Sequence, residues 1–235
     1  EYTQSISSSN NKKLLIYFQG HGSETYKVSK DFYKGQHGNP YNHRDFIKIK
    51  NHYLAKGFDI LSLSMSNKGY NFELNYFPNI ILKYLKKNGY QHEIYKNFYD
   101  PEYPNKKPLS LMLSGNFYLI NEILTKSDYQ EIYAVGISGG GWYSTILSAI
   151  IPQITRSFSF SGTIPLPLQY FDKNKGDWEL SDRKNYKDFN YFDLYALSTV
   201  DEFNKKTRKH HQIYNTYDSC CYRKPYSSLM KNVAT

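Results

Sequence analysis

The pattern G-x-S-x-G at residues 136–140 constrains this chain more than any other feature of its sequence. The apolar residues 132–137 lead into the pattern as a buried strand would, and residues 141–150 continue it with helix-forming residues. A strand that turns directly into a helix leaves no space for side chains on either side of the serine, and glycine removes them. The pattern therefore predicts a sharp strand-turn-helix unit that exposes Ser138 at the carboxyl end of a strand.

The predicted position makes Ser138 a candidate nucleophile. A serine hydroxyl reacts poorly until a base, usually a histidine held by a carboxylate, removes its proton. The tetrahedral oxyanion that follows needs two preorganised N–H donors. The alternative interpretation is a glycine-rich turn that only packs, and we favour the catalytic one because both flanking segments have the required character.

The order of elements predicts an α/β fold, a mostly parallel central sheet flanked by helices, in one domain over residues 1–235. Residues 1–11 are polar, and we expect them to be irregular. Residues 163–190 combine prolines with acidic residues and are predicted to form a small cap or insertion after the sixth core strand. The predicted strands are 13–18, 58–65, 132–137, 154–161 and 211–215, and the predicted helices are 43–56, 77–88, 109–125, 141–150 and 192–203.

The formal charge of +9 favours anionic partners such as nucleic acid, acidic glycans or a membrane surface. The basic residues are dispersed in short pairs, such as Lys12-Lys13 and Lys86-Lys87, and no known nucleic-acid-binding motif occurs. We therefore expect no nucleic-acid partner. No run approaches the roughly eighteen apolar residues of a membrane span, so the sequence predicts no transmembrane segment.

The cysteines and histidines lack the spacing of a metal site. Cys220-Cys221 and His210-His211 are adjacent pairs, whereas zinc ligands come in spaced pairs. Neither a P-loop nor a dinucleotide-binding pattern occurs. We therefore predict no metal and no cofactor.

In the order of its elements and in three motifs, the chain resembles the α/β-hydrolases of the serine esterase and lipase type. The motifs are Gly20-His21-Gly22, the serine pattern and Asp218. The resemblance implies an oxyanion hole with one donor from the backbone around His21 and Gly22, and a second donor from the N–H of Gly139. It also implies a nucleophile, acid and histidine in that order along the chain.

Asp218 follows the predicted strand 211–215, where the resemblance places the catalytic acid. The alternative is a turn aspartate that hydrogen-bonds its own backbone. Asp193 and Asp201 are weaker candidates because they lie in or beside a predicted helix.

The base histidine has no match, because residues 219–235 contain no histidine. His210 and His211 precede Asp218 at the start of its strand, and His37 and His43 lie near the oxyanion loop. We expect the part that carries the histidine to lie outside these residues, in a continuation of the chain or in a second chain that completes the site. The first residue is Glu1 rather than Met, which is compatible with export and removal of a leader.

The resemblance implies a serine hydrolase that cleaves a small-molecule, glycan or lipid ester. A peptidase or thioesterase would use the same nucleophile, since specificity lies in loops. The alternative from another class is an inactive binding or structural subunit with the same fold, which the unmatched histidine favours.

Overall fold

The structure is a computed structural model that describes residues 2–7, 11–20, 40–66, 108–169, 177–200, 207–218 and 222. Its strands are β1 (Tyr2–Ser5), β2 (Lys13–Phe18), β3 (Phe58–Leu63), β4 (Glu131–Ile137), β5 (Arg156–Phe160) and β6 (Lys209–Ile213). Its helices are α1 (Pro40–Ala55), α2 (Pro108–Lys126), α3 (Gly139–Ile150), α4 (Leu166–Gln169), α5 (Trp178–Ser181) and α6 (Tyr191–Leu197), with a 3-10 helix at Arg183–Tyr186. The predicted fold class is confirmed: helices flank one mixed, mostly parallel sheet of six strands.

The chain divides into two compact units, and strand β2 contributes to both. The first unit comprises Glu1–Leu15 and Gln19–Gln130, and the second comprises Ile16–Phe18 and Glu131–Thr235. The strand order is β1-β3-β2 in the first unit and β2-β4-β5-β6 in the second. Among the described residues, no helix is long and apolar enough to span a membrane.

In the first unit, β1 pairs antiparallel with β3, so the expectation that residues 1–11 are irregular is wrong for Tyr2–Ser5. The strand was missed because an edge strand has only one neighbour and this one has a polar sequence, which gives no apolar alternation. Asp59 fixes the chain beyond it, since its carboxylate accepts hydrogen bonds from the Ser7 N–H at 2.7 Å and the Tyr129 hydroxyl at 2.8 Å.

Strand β2 has the predicted bounds, and its interior residues are almost fully buried. Helix α1 ends before Gly57, which has a φ of 80° and therefore stops the helix as predicted. The predicted helix at 77–88 lies outside the described residues.

In the second unit, β4, β5 and β6 run parallel and in register. Ile137 pairs with Phe160, and Phe160 pairs with Ile213. Helix α3 lies on one face of these strands, where the Ser144 hydroxyl is within hydrogen-bonding distance of the Ala134 and Phe158 carbonyls. Because parallel strands end at the same edge, the residues after β4, β5 and β6 are brought together.

The described part of residues 163–190 contains three short helices, of which the 3-10 helix contacts α3 through Tyr186. The Trp142 indole N–H on α3 donates to the Tyr186 hydroxyl at 2.8 Å, and Tyr186 donates in turn to the Glu179 carbonyl at 2.5 Å. Burial raises the pKa of Tyr186, which keeps this hydroxyl protonated as a donor. That these residues form a cap or insertion stays a prediction.

Arg208, which directly precedes β6, joins three parts of the second unit. Its side chain is only 4% exposed and donates to carbonyl oxygens at the ends of α3 and α6 and before β5. Cations are favourable at helix C-termini because the last carbonyls lack intrahelical partners. The carbonyls that accept from its guanidinium belong to Ser148, Ile151, Ile154, Leu197 and Val200.

His210 on β6 lies in a polar layer between the sheet and α3. Gln212 Nε2 donates to its Nε2 at 2.6 Å, so its Nδ1 carries the proton and faces Ser157 Oγ at 2.6 Å. Burial, together with the charges of His211 and Arg208, lowers the pKa of His210 from 6.5 to about 4. A second proton would point an N–H at the Gln212 amide, so the imidazole is neutral.

Replacing Arg208 with Met should lower the free energy of unfolding by about 3 kcal/mol, because several buried carbonyls lose their donor. Urea unfolding followed by circular dichroism measures the loss. The exposed Arg183 is the matched control, and its replacement by Met should change stability by less than about 0.5 kcal/mol. An equal effect of the two substitutions would contradict this role of Arg208.

His210 should make the protein acid-sensitive. Its folded-state pKa lies below the unfolded value, so the unfolded chain binds the proton first and stability falls as the pH drops from about 6.5 to about 4. The loss should be of the order of 2–3 kcal/mol over this window, from unfolding curves at each pH. Replacing His210 with Gln should flatten the dependence, whereas the same change at the exposed His211 should leave it in place.

Candidate active site

Ser138 occupies the turn between β4 and α3 in a strained backbone conformation. Its φ is 56° and its ψ is −125°, a region that non-glycine residues seldom adopt and that costs of the order of 1–3 kcal/mol. The Ser138 N–H donates to the Phe160 carbonyl at 2.8 Å, and its carbonyl accepts from the Trp142 N–H at 3.1 Å. The half-buried side chain makes no capping hydrogen bond to α3. The backbone is therefore held while the hydroxyl is not used to cap the helix.

Glycines let the backbone fold back on itself at this turn. A Cβ atom at Gly136 would lie 2.0 Å from the Gly140 carbonyl oxygen, which is too close for any residue other than glycine. A second close approach involves Gly141, whose Cβ would lie 2.8 Å from the Gly162 Cα. The strand can thus enter α3 without an intervening loop.

Gly139 is the buried first residue of α3, directly after Ser138. The first N–H groups of a helix lack intrahelical acceptors, and the helix dipole favours negative charge beside them. The N–H of Gly139 thus lies at the positive end of the helix dipole, and its role as an oxyanion donor stays a prediction. The other predicted donors, His21 and Gly22, lie outside the described residues.

Asp218 follows β6 and lies at the same sheet edge as Ser138. Its Oδ2 accepts a hydrogen bond from the Ser161 hydroxyl at 3.0 Å, and its N–H donates to the Asn215 carbonyl at 3.1 Å. Strands β4 and β6 are separated by β5, so their ends are about 10 Å apart. Two strand spacings therefore separate the strand that precedes Ser138 from the strand that precedes Asp218.

The other acid candidates do not share this position. Asp193 belongs to a capping box at the start of α6, where its Oδ2 accepts from the Asn190 N–H at 2.7 Å. The capping role accounts for this carboxylate, whereas Asp201 lies outside the described residues.

No described histidine contacts Ser138 or Asp218 through its side chain. The ring of His211 stacks on Phe158 at 4.8 Å, and His210 pairs with Ser157, three residues before the end of β5. His52 lies edge-on to Tyr53 on α1. His21, His37 and His92 and the side chain of His43 lie outside the described residues, which also contain no group of three or more His, Cys, Asp or Glu side chains suited to a metal.

Sequence reasoning missed Ser161, whose hydroxyl donates to Asp218. Like Ser138, it follows a parallel strand, precedes a glycine and has a positive φ, here 47°. The repeated Ser-Gly pair after two neighbouring strands was the available signal. Ser161 lacks the glycine two residues before the serine that drew attention to Ser138.

Replacing Gly136 with Ala should unfold or strongly destabilise the second unit, because the new methyl group meets the backbone of Gly140. A loss of more than about 3 kcal/mol in urea unfolding is expected. Gly115 on α2 is the matched control, since a Cβ there meets nothing within 4 Å and alanine favours the helix by about 0.5–1 kcal/mol. Similar stabilities for the two variants would show that the turn is looser than described.

Comparison with known proteins yields structural neighbours only. No protein-family model matches the sequence, and no curated protein is detectably similar to it. Acylaminoacyl peptidase from Pyrococcus horikoshii is 14% identical with a TM-score of 0.54, over 99% of this chain and 32% of that one. Acetyl xylan esterase 1 from Thermoanaerobacterium sp. is 10% identical with a TM-score of 0.54, over 98% of this chain and 77% of that one.

The chain therefore spans about a third of the length of the peptidase and most of the esterase. At identities this low, the similarity shows only that the backbones have the same fold. The order of strands and helices, the parallel strands on both sides of β5 and these similarities show that the chain has the α/β-hydrolase fold.

Proposed function

We propose that this chain is a serine hydrolase that cleaves a carboxylic ester through an acyl-enzyme on Ser138. The observation that carries the proposal is the strained turn at Ser138, which holds the backbone by two hydrogen bonds and directs the residue to the carboxyl edge of parallel strands. Strain of this kind persists only where the surroundings impose it, and it is concentrated at reactive sites. The fold neighbours, which by name are a peptidase and an esterase, agree with a hydrolytic reaction.

In the proposed reaction, Ser138 Oγ attacks the carbonyl carbon of the ester while a base takes the hydroxyl proton. The carbonyl oxygen becomes an oxyanion, which the N–H of Gly139 and a backbone N–H of His21 or Gly22 stabilise. The intermediate collapses, the C–O bond to the alcohol breaks, and the base returns the proton to the departing alcohol. Water then hydrolyses the acyl-enzyme by the same steps and regenerates the Ser138 hydroxyl.

Asp218 is the acid of this proposal. Its position after β6, two strands from the strand that precedes Ser138, supports this role, and the proposal places the imidazole of the base between Ser138 and Asp218. A carboxylate in this position orients the base and stabilises its protonated form. The base of the proposal is a histidine, and neither His210 nor His211, whose rings contact Gln212 and Phe158, occupies that position among the described residues.

The substrate of the proposal is a small-molecule, glycan or lipid ester. One fold neighbour is named for acetyl xylan and the other for acylaminoacyl peptides. Cleavage of an ester and cleavage of an amide would use the same nucleophile, helix N-terminus and acid. The choice between the two bonds therefore depends on loops. The alternative is an inactive subunit that binds through this fold, and it differs from the enzyme in the reactivity of Ser138.

An organophosphonate probe should label the full-length protein at Ser138, as mapped by mass spectrometry of the adduct. Replacing Ser138 with Ala should abolish labelling, and replacing Asp218 with Asn should slow it by about a hundredfold or more, because an amide cannot stabilise the protonated base. The exposed Ser114 and Asp128 are matched controls, and their Ala and Asn variants should label at the normal rate.

Labelling that survives the Ser138→Ala change, or an adduct at another residue, would contradict the proposal. Full-length protein that does not label would instead favour the inactive subunit. Where labelling occurs, turnover of nitrophenyl esters compared with aminoacyl amides assigns the bond, and the proposal expects the esters to be cleaved faster.

A further inference from the structure

The Ser161 hydroxyl donates a hydrogen bond to the Asp218 carboxylate, with an Oγ to Oδ2 distance of 3.0 Å. Ser161 follows β5, the strand between those that carry Ser138 and Asp218. Its hydroxyl therefore lies between the proposed nucleophile strand and the proposed acid. A hydroxyl that donates to a carboxylate favours the ionised form and fixes its orientation.

The backbone around Ser161 is held on both sides. Its own N–H donates to the Ile213 carbonyl at 2.8 Å, while the preceding Phe160 carbonyl accepts from the Ser138 N–H at 2.8 Å. One peptide segment thus connects the turn after β4 to the end of β6. A displacement of this segment would move the proposed nucleophile and the proposed acid relative to each other.

Gly162, the residue after Ser161, packs directly on the backbone of α3. A Cβ atom at Gly162 would lie 2.3 Å from the Gly141 carbonyl carbon and 2.5 Å from the Trp142 nitrogen. Backbone packs on backbone here, so the turn has no flexible side chain through which it could relax. The backbone that carries Ser161 is consequently held close to the start of α3.

The identity of residue 161 is informative because its φ is 47°. Glycine adopts this region freely and asparagine or aspartate tolerate it, whereas other residues seldom do. The side chain of this serine donates to Asp218, a hydrogen bond that glycine at the same φ could not make.

We propose that Ser161 is a positioning residue that holds the Asp218 carboxylate toward the base while its backbone holds the Ser138 turn. This inference rests on the proposed function. Ser161 acts through Asp218, so it contributes to the orientation of the base without touching the substrate.

Two substitutions at Ser161 distinguish the effect of the hydroxyl from the effect of the backbone conformation. Ser161→Gly suits a φ of 47° and removes the donor, whereas Ser161→Asn also tolerates this φ and carries an amide N–H that can donate to Asp218. Both variants should fold, which urea unfolding verifies. The glycine variant should react with the phosphonate probe about tenfold more slowly than the full-length parent, and the asparagine variant should recover most of the rate.

The pH profile of labelling gives a second readout. A loosely held carboxylate stabilises the protonated base less, so the half-maximal pH of labelling should move to lower pH in Ser161→Gly and return in Ser161→Asn. A glycine variant with the parent's rate and pH profile would overturn the positioning role. Equally slow glycine and asparagine variants would also overturn it, because the hydroxyl would then not act as a donor.

The failure of this inference is distinguishable from that of the proposed function. Parent protein that labels at Ser138, with an unchanged Ser161→Gly variant, would remove the role of Ser161 and leave the hydrolase intact. Parent protein that does not label at all would overturn both the hydrolase and the positioning role that depends on it.

Discussion

The backbone between β4 and α3 turns so tightly that one methyl group at Gly136 would come within 2.0 Å of the Gly140 carbonyl oxygen. The turn puts Ser138 at φ 56°, at the N-cap of α3 and directly before the first N–H groups of that helix. The strain is offset by burial, since nearly all of α3 lies in the core. The proposed chemistry depends on this arrangement, because an exposed hydroxyl without adjacent donors would have no means of stabilising an oxyanion.

The parallel strands extend the effect of the turn to residues that are distant in sequence. Ser138, Ser161 and Asp218 follow β4, β5 and β6, and the shared register brings all three to one edge. The Ser138 N–H donates to the Phe160 carbonyl, and the hydroxyl of the next residue, Ser161, donates to the Asp218 carboxylate. At the opposite end, Arg208 ties the ends of α3 and α6 to the start of β5. Hydrogen bonds thus fix the second unit at both ends of its parallel strands.

Much of this arrangement could be predicted from the sequence. Buried strands such as Lys13–Phe18 give continuous apolar runs, and Gly57 marks a helix end through its positive φ, so both were predicted correctly. The edge strand Tyr2–Ser5 was missed because its pairing with β3 is a long-range contact that leaves no local pattern. The contact between Ser161 and Asp218 was missed for the same reason, since 57 residues separate the two and only the register of β5 and β6 brings them together.

The central claim is that the Ser138 turn holds a reactive oxygen beside amide N–H groups that receive negative charge. An experimental structure of the full-length protein with a phosphonate on Ser138 tests this most directly, through the distance from the phosphonyl oxygen to the Gly139 nitrogen. The account predicts a hydrogen bond of about 2.7–3.1 Å between these atoms. A phosphonyl oxygen that points to solvent, with the Gly139 N–H turned away from it, would contradict the account.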